Sequence, residues 1–234
     1  MPNSLRSEST RGPESPRLVR RYAEQQLLGA RRPVQPAHPA RNAKGPVSRM
    51  IVGLDAVRST VLSNPEKARL REVMYGVLAA ALRQTRIHER NCAMLDRGDG
   101  VLVLIPPFDD VPKTRLLDTL IPTLRRLLAE HNDRHAEHRF RWRSVVHAGD
   151  VHCDQRGWYG EAMDIACRLL NAPAFKDMPM STMAPMVMVV SGDVYRAVVQ
   201  HDYAGIDKRS FTFLGRVRIG HRQHEGWVHD PAPG

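Results

Sequence analysis

Met50-Ile51-Val52-Gly53-Leu54-Asp55 and, further along, Arg97-Gly98-Asp99-Gly100 leading into Val101-Leu102-Val103-Leu104-Ile105 are the stretches whose reading decides the fold. Each apolar run is short, bounded by turn residues, and reads as a buried strand. Between them Ser63-Asn64-Pro65-Glu66 is a helix start: a capping residue, then Pro and an acid in the first turn. Leu70, Val73, Met74, Val77, Leu78, Ala81 and Leu82 then recur on one helical face. If the two strands are neighbours in one sheet, Asp55 and Asp99 meet at one sheet edge. Two carboxylates there repel each other unless a cation lies between them, and the usual occupant is a divalent metal carrying a nucleotide's phosphates.

Working outward, residues 91–95 and 101–105 form a hairpin around the turn chemistry of Asp96 to Gly100. A second helix is predicted over 113–131, with Leu116, Leu117, Leu120, Leu124, Leu127 and Leu128 apolar and a kink at Pro122. Residues 140–148 read as a strand, followed by a loop and a short helix from Glu161 to Leu170. A Met- and Pro-rich stretch, 175–186, reads as an irregular loop. Val187 to Val190 is a strand, Asp193 to Gln200 a helix, and 211–219 and 226–229 are closing strands. The order strand, helix, strand, strand, helix, strand is a split βαβ arrangement. The expected fold is therefore α/β (α+β), with a ferredoxin-like βαββαβ core and an antiparallel sheet. In that topology the end of the first strand lies beside the start of the third, where Asp55 and Asp99 stand.

The chain has 234 residues and a formal net charge of +10. Residues 1–46 hold nine Arg or Lys against three Glu, are rich in Pro, Ser and Gly, and are predicted to be a disordered basic tail. Residues 47–234 form the folded domain. No stripe of Arg interleaved with aromatics is present in it, which argues against nucleic-acid binding. No apolar run is long enough for a membrane span, and the N-terminus lacks the apolar core of a secretory signal. Cys92, Cys153 and Cys167 show no paired spacing, which fits reduced thiols in the cytoplasm.

Each candidate has a plain structural alternative. Asp99 between two glycines is by itself a hairpin turn. Thr60 reads as a local backbone cap or a phosphate ligand. Asp164 and Arg168 stand at i, i+4 with the acid first, the order of a surface ion pair worth a few tenths of a kcal/mol. His147 reads as a packed strand histidine, and the spacing of His131, His135 and His138 does not favour zinc. Asp150 and Asp154 read as solvated loop acids.

Four motifs, two of them around the carboxylates above, share an order with one family. Asp55-Ala56-Val57-Arg58-Ser59-Thr60 resembles the first metal motif of the class III nucleotidyl cyclase catalytic domain, an Asp followed five residues later by Thr. Arg97-Gly98-Asp99-Gly100 resembles its hairpin with the second metal Asp. His147-Ala148-Gly149-Asp150-Val151 resembles the family's His-x-Gly-x-Val strand end. Tyr159-Gly160-Glu161-Ala162-Met163-Asp164-Ile165-Ala166-Cys167-Arg168-Leu169 resembles the helix Gly-x-x-Val-Asn-x-Ala-x-Arg-Leu. The resemblance covers roughly residues 49–200 and adds cyclase-type C-terminal elements to the fold expectation.

The resemblance implies a metal-dependent cyclase that turns a nucleoside triphosphate into a 3′,5′-cyclic nucleotide and pyrophosphate. It implies Asp55 and Asp99 as metal ligands for two Mg²⁺ or Mn²⁺ per site, and Arg168 as the guanidinium that stabilises charge on the transferring phosphoryl group. It implies a homodimer with shared active sites. Asp164 replaces the family's ribose-orienting Asn, and Leu95 and Gly157 replace its base-selecting Lys and Asp. Its triphosphate-gripping Lys has no clear counterpart, Lys208, Arg216 and Arg218 being candidates. Loss of the purine-reading pair suits a different base, UTP or CTP. Free-standing bacterial cyclases of anti-phage defence resemble this chain and make cyclic pyrimidine nucleotides. Two readings stay open: an active cyclase with a different base pocket, and a degenerate cyclase-like module that binds nucleotide or a partner without turnover.

Overall fold

In the computed structural model, residues 45–178, 184–203 and 205–229 are described. The basic tail over 1–46 lies outside them save for its last two residues, as does the middle of the Met-rich stretch.

Eight strands form one sheet in the order β2-β3-β1-β4-β6-β8-β7, with the two-residue β5 paired to β4. The strands are β1 (Val47–Ala56), β2 (Ala93–Asp96), β3 (Gly100–Ile105), β4 (Trp142–Cys153), β5 (Trp158–Tyr159), β6 (Met186–Ser191), β7 (Phe211–Ile219) and β8 (Arg222–His229). All pairings are antiparallel except β4 with β6. The segment β2-β3-β1-β4 is the ferredoxin-like core expected from the element order. Long apolar runs with period-2 alternation make both faces of this sheet apolar, so both must be covered.

One face carries Met50, Val52 and Leu54 of β1, with Val101 and Val103 of β3. It is covered by α1 (Asn64–Gln84) and α2 (Ile121–Arg134). Helix α1 buries Leu70, Met74, Leu78, Ala81 and Leu82, the face its sequence marks out. Each large side chain so buried contributes about 1.5–3 kcal/mol. The Ser63 backbone N–H donates to Glu66 Oε2 at 2.7 Å, one arm of a capping box at the expected helix start. The other face carries Ile51, Leu102, Leu104 and Val145 and is covered by α3 (Glu161–Leu170) and α4 (Pro173–Lys176). A last short helix, α5 (Gly192–Ala197), follows β6.

The helix expected over 113–131 runs without a break from residue 114 to Arg134, with a π turn at Leu116–Leu120 directly before Pro122. The π turn re-routes the ladder where Pro122 lacks an N–H. Two other expectations are corrected. The strand predicted to end at 148 continues to Cys153 and turns back into β5, so the expected loop is a hairpin. Its polar sequence hides the strand, because this part of β4 lies beside only the first residues of β1. Phe175 and Lys176, expected to open the irregular loop, instead close the short helix α4.

Candidate active site

Asp55 is the penultimate residue of β1, and Asp99 ends the β2–β3 hairpin turn. In the register Asp55 lies opposite Gly100, and the Ala56 N–H donates to the Asp99 carbonyl at 3.1 Å. The two acids are thus brought to one end of the sheet. Gly100 is required there by close approach: a Cβ at this position would sit 2.5 Å from the Leu54 carbonyl oxygen.

The hairpin that carries Asp99 is tied to α1. Arg71 donates to Asp96 Oδ1 at 2.9 Å and to the Gly98 carbonyl, and the Tyr75 hydroxyl donates to Asp96 at 2.9 Å. The Arg71 guanidinium holds the Asp96 carboxyl well below the usual carboxylate range, and burial followed by Asp96 pushes the Tyr75 phenol up to about 12. Asp96 is therefore structural. Ser59, in a single 3₁₀ turn after β1, donates its hydroxyl to Asp99. Thr60 is exposed in the same turn and caps nothing.

Sequence reasoning missed the closest partner of Asp55. Arg143 of β4 stands directly across the ladder from it and donates from Nη2 to Asp55 Oδ2 at 2.7 Å. Their side chains are 11% and 20% exposed, so this ion pair is mostly buried. The Nε of Arg143 is buried without a partner. Burial raises the Asp55 carboxyl from its ordinary value, Arg143 pulls it back, and the Asp99 charge raises it further. A site where a neighbouring carboxylate opposes ionisation is one where added positive charge is stabilising. The one sequence signal for Arg143 was a charged residue inside the strand Phe140 to Ala148, which only the register gives meaning.

The fit to a divalent cation is good but incomplete from the protein alone. Among the described residues no group of three or more His, Cys, Asp or Glu could hold a metal. Two carboxylates with the remaining positions left to phosphate oxygens and water is the usual mode for Mg²⁺. His131 stacks on His135 with centroids 4.5 Å apart, a packing role.

The helix residues are not brought to this carboxylate pair. Helix α3 packs its apolar face on the sheet, and Asp164 and Arg168 are exposed on its outer side. No ion pair joins them, contrary to the plain structural reading of their spacing. Leu95 is half-buried and packs against the α3-side core. Gly157 has φ 144 and closes the β4–β5 turn, where Asp154 Oδ1 accepts from the Arg156 and Gly157 N–H groups. That gives Asp154 a structural role. Lys208 pairs with Asp202 and Arg216 with Glu225.

His147 is the packed strand residue its sequence suggested. It is 1% exposed, its Nδ1 lies 2.7 Å from Ser191 Oγ, and burial lowers its imidazole to about 4. Between about pH 6.5 and 4 the unfolded chain binds the proton that the folded chain refuses, so stability falls as pH falls through that window. For His147 this is worth roughly 3 kcal/mol. Urea unfolding at pH 7 and pH 4.5 should show His147→Gln with a smaller drop than the wild type. Equal drops would contradict the buried neutral imidazole. His229, also lowered to about 4 by burial, adds a drop of the same sign to both proteins.

No family model matches the chain, and no curated protein matches its sequence. Solved structures do match its fold. An adenylate/guanylate cyclase/hydrolase from Silicibacter pomeroyi is 16% identical with a TM-score of 0.57, over 81% of this chain and 99% of that one. The adenylyl cyclase CyaB from P. aeruginosa is 13% identical with a TM-score of 0.54, over 81% and 96%. The catalytic core of a rhodopsin-guanylyl cyclase with converted specificity, in complex with ATPαS, is 14% identical with a TM-score of 0.52, over 79% and 96%. With its mostly antiparallel sheet and helices on both faces, this chain has the fold of the class III nucleotidyl cyclase catalytic domain.

Proposed function

We propose that the chain is a metal-dependent nucleotidyl cyclase that converts a nucleoside triphosphate, UTP or CTP, to its 3′,5′-cyclic monophosphate and pyrophosphate. One observation carries this: Asp55 and Asp99 held at one sheet end beside the buried Arg143 guanidinium, whose Nε has no partner. Asp55 and Asp99 would hold Mg²⁺ or Mn²⁺, two per site. Bound there, the ions supply Lewis acidity toward the ribose 3′-hydroxyl and neutralise the triphosphate.

The chain's own residues do the rest. Arg143 keeps Asp55 oriented and offers its remaining N–H groups to a phosphate oxygen at the same edge. Arg168 stabilises charge gathering on the α-phosphoryl oxygens as the 3′-oxygen attacks and pyrophosphate leaves. Asp164 accepts a hydrogen bond from the ribose. Thr60 lies beside the phosphates. Leu95 and Gly157 form an uncharged base pocket.

Asp164 and Arg168 are exposed and unpaired, so a partner's carboxylate edge can receive them. A homodimer with two shared sites follows, each drawing its acids from one chain and its Arg from the other. We place the enzyme in the cytoplasm as a second-messenger synthase, in anti-phage defence, on the strength of its resemblance to free-standing bacterial cyclases. Residues 1–46 would be a basic tail outside the catalytic domain of 47–234. The second reading, a non-catalytic nucleotide-binding module, is favoured by Asp164 in place of Asn and by the absence of a late lysine free of ion pairs.

Base choice is tested by kcat/KM for ATP, GTP, CTP and UTP with Mn²⁺. UTP or CTP should exceed both purine nucleotides by at least about tenfold, the scale of one lost edge contact. A preference for ATP or GTP would overturn the pyrimidine assignment. Tight nucleotide binding with no turnover of any of the four would favour the non-catalytic module.

A further inference from the structure

We propose that Lys67 and Arg97 grip the triphosphate end of the substrate, in the same chain that supplies Asp55 and Asp99. This rests on the cyclase reading. A cleft of about 300 Å³ opens beside Asp99, between the first turn of α1 and the tip of the β2–β3 hairpin. Ser59, Thr60, Lys67, Arg71 and Arg97 line it. Of its three cations, Arg71 is committed to Asp96 and the Gly98 carbonyl. Lys67 and Arg97 have no recorded side-chain hydrogen bond or ion pair, although they come from separate elements and converge on one space.

Two uncommitted cations and the Thr60 hydroxyl lining a small cleft suit a polyanion with several oxygens. The volume is at the low end of small-molecule sites, about 300–1,000 Å³, which suits a phosphate tail rather than a whole nucleotide. Asp99 lines the same cleft, so an anion there adjoins the carboxylate pair and is continuous with phosphates held at it. The Arg71–Asp96–Tyr75 bonds fix the hairpin and so place Arg97 before the ligand arrives, which lowers the ordering cost on binding. Lys67 and Arg97 are thus positioning residues for the polyphosphate. They supply in cis the charge that neither Lys208 nor Arg216, each already paired, is free to give.

The test uses the full chain with saturating Mg²⁺ and inorganic tripolyphosphate as probe, followed by calorimetry. Lys67→Ala and Arg97→Ala should each weaken binding about tenfold, as expected for loss of one charge-assisted contact. Arg83→Ala, an exposed cation at the far end of α1, should leave it unchanged. Lys67→Arg should restore it. In turnover assays the two alanine variants should raise KM for the triphosphate with kcat nearly constant, while melting temperatures stay at the wild-type value. Wild-type affinity in both variants, an equal loss in Arg83→Ala, or no binding of tripolyphosphate to the wild type would overturn the proposal. If the two residues govern tripolyphosphate binding but no triphosphate is ever cyclised, the cyclase reading fails and the polyphosphate site stands. If cyclisation proceeds with KM unchanged in both variants, the site fails and the cyclase reading stands.

Discussion

Asp99→Ala should lower turnover by at least about a thousandfold, the scale on which loss of a metal or of focused transition-state charge acts. It should do so with little change in melting temperature. The side chain is partly exposed, and its recorded partner is the Ser59 hydroxyl, which can turn to water. Asp55 behaves differently. Its removal strips a mostly buried Arg143 of its partner, so Asp55→Ala should be both inactive and less stable, by about 2 kcal/mol or more. Asp55→Asn separates the two effects, because the amide oxygen still accepts from Arg143 while the charge that would hold a cation is gone. It should fold better than Asp55→Ala and be just as inactive. Near-normal cyclisation by Asp99→Ala and Asp55→Asn would show that the carboxylates are a turn and an ion pair and nothing more.

Mixing two dead variants should restore activity. Asp99→Ala and Arg168→Ala are each expected to be inactive alone. In a shared-site dimer, a heterodimer carries one site with both defects and one with neither. After chain exchange of an equal mixture, half of the dimers are mixed, so activity should recover to about a quarter of the wild-type level. The motivation is the position of Arg168, exposed on α3 and joined by no contact to the Asp55–Asp99 edge of its own chain. Full activity in a demonstrated monomer, or no recovery despite demonstrated heterodimers, would refute the arrangement.

Much of this fold was legible because its signals are local. The Ser63–Glu66 helix start, the helical spacing from Leu70 to Leu82 and the apolar runs on either side are each decided within a few residues. The topology then follows from their order, and Asp55 beside Gly100 is its consequence. What the sequence hid depends on partners distant along the chain. Arg143 meets Asp55 only through the β1–β4 register, and Arg71 meets Asp96 only through packing of α1 on the hairpin. The β4–β5 hairpin is polar and short, so no period-2 pattern marks it. The i, i+4 spacing of Asp164 and Arg168 permits an ion pair that the fold does not form. Lys67 and Arg97 belong to separate elements with no shared motif, and only the cleft relates them.

The most direct measurement is the product. The purified full chain is incubated with ATP, GTP, CTP and UTP and Mn²⁺ or Mg²⁺, and the mixture is read by mass spectrometry alongside Asp99→Ala. The wild type should give a 3′,5′-cyclic nucleoside monophosphate with an equal amount of pyrophosphate, and neither should form with the variant or when the metal is chelated. No cyclic product from any of the four triphosphates under either metal, or only nucleoside diphosphate and phosphate, would contradict the cyclase reading.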